Sequence, residues 1–167
     1  MYSEAASLQS DDLPANWTRA RVAYLCPVLH EFQMDMGEAF TDSLIGVAPQ
    51  GWMRTWDAAG RVRGHRWEGF ECLLDRSQMV IVSEEDIANE RGVVDVFRNH
   101  APIVIVTRAG QGAVVIAGKR TLTLGAYAAA ERDPTGAGDC FGAAFAVRYE
   151  ETGSLEKAAR FASCVGA

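Results

Sequence analysis

The sequence predicts an α/β protein whose mostly parallel sheet is sandwiched between helices. Three observations carry that expectation. Compact apolar runs at 22–25 (Val-Ala-Tyr-Leu), 79–82 (Met-Val-Ile-Val) and 103–106 (Ile-Val-Ile-Val) are apolar on both faces and largely β-branched, as strands covered on both sides require. Stretches with helical spacing lie between and after them. Residues 86–99 place Ile87, Val94 and Phe97 on one side and Glu90, Arg91, Asp95 and Arg98 largely elsewhere, and 139–151 and 154–165 repeat the pattern. Strand thus alternates with helix, the order of a parallel sheet with crossover helices.

In chain order, residues 1–20 form a polar, turn-rich lead-in containing Asp11-Asp12-Leu13-Pro14. After the first strand, 52–57 and 61–67 flank Ala58-Ala59-Gly60, a hairpin signal. Trp52, Arg54 and Trp56 share one face of that ribbon, where cation–π stacking competes with the commoner role of packing. A second ribbon pairs 113–117 with 121–124 across Gly118-Lys119-Arg120. Thr152-Gly153-Ser154 stops one helix and caps the next. The 167 residues hold no internal repeat or low-complexity segment, so 1–167 reads as a single α/β domain.

Composition narrows the partners. With 16 basic and 22 acidic residues the net charge is −6, which argues against a nucleic-acid or anionic membrane surface. No run approaches the roughly 18 apolar residues of a membrane span, and the N-terminus is not signal-like. Cys26, Cys72, Cys140 and Cys164 are scattered, without a C-x-x-C pair, so neither zinc nor a disulfide framework is suggested. Cys140 reads as a small buried residue rather than an activated thiol. His30, His65 and His100 have no matched partners. A reduced, cytoplasmic protein fits.

The most specific segment is Asp133-Pro134-Thr135-Gly136-Ala137-Gly138-Asp139-Cys140-Phe141, which runs into a helical pattern. Gly136, Ala137 and Gly138 leave the backbone uncovered where a helix begins. Its first N–H groups have no internal partner and carry the positive end of the helix dipole, so the turn is a ready anion seat. Asp139 adds a carboxylate at its edge. Anion seat plus adjacent base suits transfer of a phosphoryl group to a hydroxyl, whereas the plainer reading is a glycine turn with an Asp near a helix cap. The turn lacks the Lys-Ser/Thr ending of a P-loop. Two other polar clusters, Ser83-Glu84-Glu85-Asp86 and Thr107 to Gly112, follow strands, where ligands of open α/β sheets bind.

The string 133–141 resembles the C-terminal signature of the PfkB (ribokinase-like) carbohydrate kinases, and the resemblance extends over 22–167. It implies a ribokinase-like fold and an ATP-dependent kinase acting on an alcohol of a sugar, cyclitol or nucleoside-like small molecule, and it admits a homodimer. Asp139 matches the family's base, and Gly136, Ala137 and Gly138 match its anion hole. Thr107 to Gly112 is similar to T-x-G-x-x-G, which contacts the ATP phosphates, with Ala109 in place of the first glycine. If that position needs φ > 0, either Ala109 bears the steric cost or Gly110 takes the role. Ser83 and Asp86 resemble N-x-x-E, associated with phosphate and Mg²⁺; the replacements favour water-mediated contact with the ion. Asp133 and Thr135 match positions that help hold a monovalent cation such as K⁺. Residues 50–57 look like the Q-x-x-x-R-x-x-D segment of the inositol-kinase-like branch, which would turn Arg54 toward substrate or nucleotide. The family's N-terminal acceptor-binding part and lid have no counterpart in the sequence. That motivates a competing reading, a non-catalytic nucleotide-binding or interaction module derived from a kinase.

Overall fold

The computed structural model describes residues 6–130 and 133–167. The lead-in makes short 3-10 turns at Ser10–Asp12 and Trp17–Arg19. It is tied to the body: the Leu8 N–H donates to the Glu31 carbonyl at 2.7 Å, and Leu13 packs on the core. Strands β1 (Val22–Leu25) and β2 (Leu44–Val47) follow, then a ribbon of β3 (Arg54–Trp56) and β4 (Val62–Gly64). A short helix α1 (Glu71–Leu74) precedes β5 (Met79–Ser83), and α2 (Val93–Arg98) precedes β6 (Ile103–Thr107). The second ribbon, β7 (Ala113–Ala117) and β8 (Arg120–Leu124), leads to α3 (Ala137–Thr152) and α4 (Leu155–Val165). The main sheet has the order β1-β2-β5-β6-β7-β8. Its first four strands are parallel and its last two antiparallel.

Alternation along each strand feeds two apolar layers. Ala23, Leu25, Ile45, Val47, Val80, Val82 and Val104 face Trp52, Trp67, Phe70 and Phe97. Met79, Ile81, Ile103, Ile105 and Val115 face Phe141, Phe145, Leu155 and Ala158 of α3 and α4. The continuous apolar runs exist because the sheet is covered on both sides. Gly153 at φ +60 ends α3, and the Ser154 hydroxyl accepts the Lys157 N–H at 3.4 Å to start α4. Among the described residues no helix is long and apolar enough to cross a membrane.

Several expectations change. Strand β2 is not announced by its sequence, because Gly46 interrupts an already short run. A Cβ there would come within 3.1 Å of the Tyr24 side chain and 3.3 Å of the Met79 side chain, so both would have to give way by a few tenths of an ångström. The helix expected over 86–99 shrinks to α2. The Ser83 hydroxyl takes the Asp86 N–H at 3.0 Å, folding the chain into turns, and Gly92 at φ +80 sits at the head of α2. The Trp52, Arg54, Trp56 stripe does not form a cation–π stack. Trp52 is buried against Trp67 (centroids 5.4 Å, interplanar 13°), Trp56 lies beside His30 at 5.3 Å, and Arg54 turns to Asp86. His100 has a partner after all, the Asp75 carboxylate at 2.7 Å. Cys140 is exposed rather than buried, because Phe141 and Gly142 take the inward positions of α3.

Candidate active site

The four parallel strands end at one edge of the sheet. The antiparallel ribbon shares that edge, since Thr107 pairs with Ala113 and Ala113 with Leu124. Cys26, Ser83 to Asp86, and Thr107 to Gly112 therefore border one rim, and the register sets Ser83 beside Thr107.

Asp133 and Thr135 build the approach to α3. The Thr135 N–H donates to Asp133 Oδ1 at 2.9 Å, and hydrogen bonds from Thr135 hold the Asp133 carboxyl below the usual carboxylate range. Gly136 adopts φ +81, ψ −1 as the residue before the helix, a backbone that glycine takes without steric cost. The Cys140 N–H closes the first turn on the Gly136 carbonyl at 2.8 Å, while the Ala137 N–H is taken by Pro134 at 3.1 Å. Among the described residues the N–H groups of Gly138 and Asp139 have no acceptor. The predicted anion seat is thus open at Gly138 and Asp139 and internally occupied at Ala137.

Asp139 is exposed, and its carboxylate has no hydrogen-bond or ionic partner among the described residues. One helical turn further on, Gly142 lets the Tyr24 side chain close in; a Cβ there would stand 2.0 Å from the phenol oxygen. Burial pushes the Tyr24 phenol well above its ordinary range, with Cys26 and Asp139 adding to the effect. Burial likewise raises the Cys26 thiol, followed by the charges of Asp139 and Glu31. Asp139 is therefore within electrostatic reach of both groups at the end of β1. Tyr24 and Cys26 were not legible as neighbours of the turn, because strand register and not chain proximity places them there.

The loop after β6 has the demanding backbone anticipated for it. Ala109 itself is left-handed at φ +45, and Gly110 is not. Gly112 adopts φ +90, ψ −137. A Cβ on it would sit 2.0 Å from the Leu124 carbonyl oxygen. The Thr107 hydroxyl donates to the Val82 carbonyl at 3.4 Å, bridging β6 to β5.

Asp86 is the opposite of Asp139. Its Oδ1 accepts from Arg54 at 3.2 Å, and its Oδ2 accepts from Ser83 at 2.8 Å and Gln50 at 3.3 Å. Both oxygens are engaged, and one faces a guanidinium, so this carboxylate does not fit direct ligation of Mg²⁺, a cation that demands near-ideal geometry. Among the described residues no three His, Cys, Asp or Glu side chains converge as a metal site. Beside Asp86 lies a cavity of about 250 Å³ lined by Arg54, Arg63, His65, Glu85 and Glu90, among others. Asp139 lines neither this cavity nor a second of about 130 Å³ next to it. The Q-x-x-x-R spacing of Gln50 and Arg54 was visible in the sequence, but their shared target was not.

Comparisons with known proteins bear on the family and the fold. The model of the pfkB family carbohydrate kinase matches residues 76–167, more than half of the chain. Among curated proteins there is no match. Among solved structures, the sulfate complex of a pyrophosphate-dependent kinase in the ribokinase family superimposes with a TM-score of 0.83 at 22% identity, over 98% of this chain and 61% of that one. The same description of kinase, complexed with a pyrophosphate analog and myo-inositol, gives 0.81 at 22% identity over 98% and 62%. Arabidopsis thaliana ribokinase complexed with ribose and ATP gives 0.69 at 20% identity over 97% and 53%. The chain thus spans less than two thirds of the length of each. At these identities the structures speak for the fold, a mostly parallel sheet between helices, and the family model speaks for descent. The chain belongs to the pfkB family of carbohydrate kinases and has the ribokinase fold.

Proposed function

We propose that the chain carries the phosphoryl-transfer machinery of an ATP-dependent kinase whose acceptor is an alcohol of a sugar, cyclitol or nucleoside-like molecule. The observation that carries this reading is the pairing of unpartnered Gly138 and Asp139 amides with the free, exposed carboxylate of Asp139 at the head of α3. As the acceptor oxygen bonds to the γ-phosphorus, Asp139 takes the hydroxyl proton and the bond to the β-phosphate oxygen breaks. The amides of Gly138 and Asp139 hold charge on the transferred phosphoryl oxygens. Ser83, Thr107, Ala109 and Gly112 border the phosphates of the bound nucleotide. A Mg²⁺ carried with those phosphates would offset their charge when bound, and Asp86, whose oxygens are engaged, would reach it only through water. Asp133, whose Oδ1 accepts the Thr135 N–H, would offer at most a single ligand to a monovalent cation beside Thr135.

Replacing Asp139 by Asn removes the proton acceptor and leaves the backbone seat intact. In a phosphorylation screen of sugars, cyclitols and nucleosides, Asp139→Asn should lower kcat by about 10²–10⁴-fold while nucleotide binding by calorimetry persists. Retained turnover removes Asp139 from the mechanism. Running ATP and pyrophosphate in parallel identifies the phosphoryl source. The saturated Asp86 favours the second reading, a non-catalytic nucleotide-binding module. Nucleotide binding without turnover on any acceptor would select it.

A further inference from the structure

We infer that Tyr24 is a positioning residue for Asp139: in the loaded site its buried O–H donates to one carboxylate oxygen and leaves the other for the acceptor hydroxyl. This rests on the phosphotransfer reading above. The starting observation is an unsatisfied group. The Tyr24 hydroxyl is shut off from solvent and has no hydrogen-bond partner among the described residues. A buried polar atom left unpaired costs more free energy than an ordinary hydrogen bond returns. Phenylalanine would fill nearly the same space without that cost, so stability does not explain the hydroxyl.

Packing gives the hydroxyl a direction. Tyr24 stands on β1, the edge strand of the sheet, and its ring reaches α3 at Gly142. A Cβ on Gly142 would meet the phenol oxygen at 2.0 Å and the ring carbon that bears it at 2.4 Å. The hydroxyl therefore occupies the place where a side chain at 142 would begin. Helical side chains lean toward the N-terminus of their helix and cover the preceding turn. The hydroxyl thus lies against the turn that carries Asp139, three residues before Gly142 and on an adjoining strip of the helix surface. In keeping with that placement, the Asp139 charge adds to the effect of burial in holding the proton on the phenol. Tyr24 is a neutral donor in want of an acceptor.

The neighbours single out Asp139 as that acceptor. Cys26 lies two residues along β1 on the same face, but a thiol is a weak acceptor, and it makes no hydrogen bond to the phenol. Glu150, another carboxylate of α3, is paired with Arg21 at 3.4 Å, beyond the opposite end of β1. Asp139 is charged and exposed, and a hydrogen bond to an ionised group is roughly twice as strong as one between neutral groups. Its rotamers are open until something ties one oxygen down. With one oxygen held by Tyr24, the second takes the acceptor proton as the new O–P bond forms, and Tyr24 keeps its own proton throughout.

Tyr24→Phe keeps the ring and deletes the hydroxyl. On the full chain, with an acceptor found in the phosphorylation screen, kcat should fall about tenfold or more, the size expected of one hydrogen bond to a charged group. KM for acceptor and nucleotide should stay at the wild-type value. Tm should hold level or rise by a few degrees, because an unpaired buried hydroxyl has been removed. Loss of kcat without loss of Tm is a pair of readings that a merely structural hydroxyl does not produce. Unchanged kcat overturns the inference, and so does a kcat that falls only together with Tm. If kcat is unchanged in Tyr24→Phe while Asp139→Asn still abolishes turnover, the role of Tyr24 alone is lost. A wild-type chain that phosphorylates no acceptor overturns the phosphotransfer reading and this inference together.

Discussion

Two carboxylates stand at the same rim of the sheet and are treated oppositely. Asp86 is 14% exposed and saturated by Arg54, Ser83 and Gln50. Asp139 is exposed, without a partner among the described residues, beside two amides that are equally free. The difference is one of chemistry. A carboxylate whose lone pairs are filled by donors organises its neighbours, whereas one with open lone pairs beside open N–H groups can accept a proton and stabilise an anion at once. The rim therefore divides into a part that is assembled in advance and a part left open for reaction.

The sharpest way to break that division is Asp139→Asn, with the expected loss of about 10²–10⁴-fold in kcat and a fall of only a few °C in melting temperature, since no side-chain partner is lost and a first-turn carboxylate contributes about 0.3–1 kcal/mol through the helix dipole. Next in size is Gly112→Ala in the assembled part. Its Cβ would meet Leu124 O at 2.0 Å and the backbone of Gly125 and Ala126 at 2.7 and 2.8 Å. None of these atoms belongs to a flexible side chain, and φ +90 is itself hostile to a side chain. A destabilisation of about 3 kcal/mol or more follows from strain and overpacking together. Thermal melts should record it, and a near-normal melt would show that the 107–112 loop and the 124–126 segment separate easily.

Gly138→Ala probes the open part with a smaller effect. Gly138 lies inside α3, its φ is not positive, and a Cβ there meets nothing within 4 Å. Alanine should therefore raise stability by up to about 1 kcal/mol through helix propensity. Turnover should fall nevertheless if the amides receive the phosphoryl oxygens as proposed, because the new methyl group stands beside them. Stability and turnover moving in opposite directions is the signature to look for. Turnover that stays at the wild-type level would show that the amides do not receive the phosphoryl group.

How much of this was legible in the sequence depended on whether the determinants were local. Strands β1, β5 and β6 announce themselves because both faces are buried and every position is apolar. The α3–α4 break is equally plain, since Gly153 and Ser154 act within one turn. The 133–141 turn is readable for the same reason: its glycines, its Asx turn and its carboxylate are contiguous. Strand β2 and the short α2 are not, because Gly46 exists to fit Tyr24 and Met79, and the Ser83 hydroxyl redirects a stretch with helical spacing. The Arg54–Asp86 tie and the placement of Tyr24 against the first turns of α3 follow from which elements pair and pack, and such pairing leaves little trace in a single sequence.

Ala109→Gly is the smallest change and tests whether the 107–112 loop, proposed to border the phosphates, is already set in its working shape. Ala109 holds φ +45, the sole non-glycine residue with positive φ among those described. The left-handed region costs an L-residue with a Cβ about 1–2 kcal/mol, while glycine adds about 0.5–1 kcal/mol of unfolded-state entropy. The two nearly offset, leaving a net stabilisation of up to about 1 kcal/mol, or roughly 2–4 °C in Tm for a chain of this size. Because the Arg108 N–H to Gly112 carbonyl bond of 2.7 Å and the Gly112 N–H to Ala109 carbonyl bond of 2.9 Å fix the loop without using the Ala109 side chain, nucleotide affinity should not change. Lower stability in the glycine variant would mean that the methyl group makes a contact worth more than the strain it causes. Altered affinity with unchanged stability would mean that the loop is held in shape by the alanine itself, and that a more flexible residue lets it sample arrangements the phosphates do not fit.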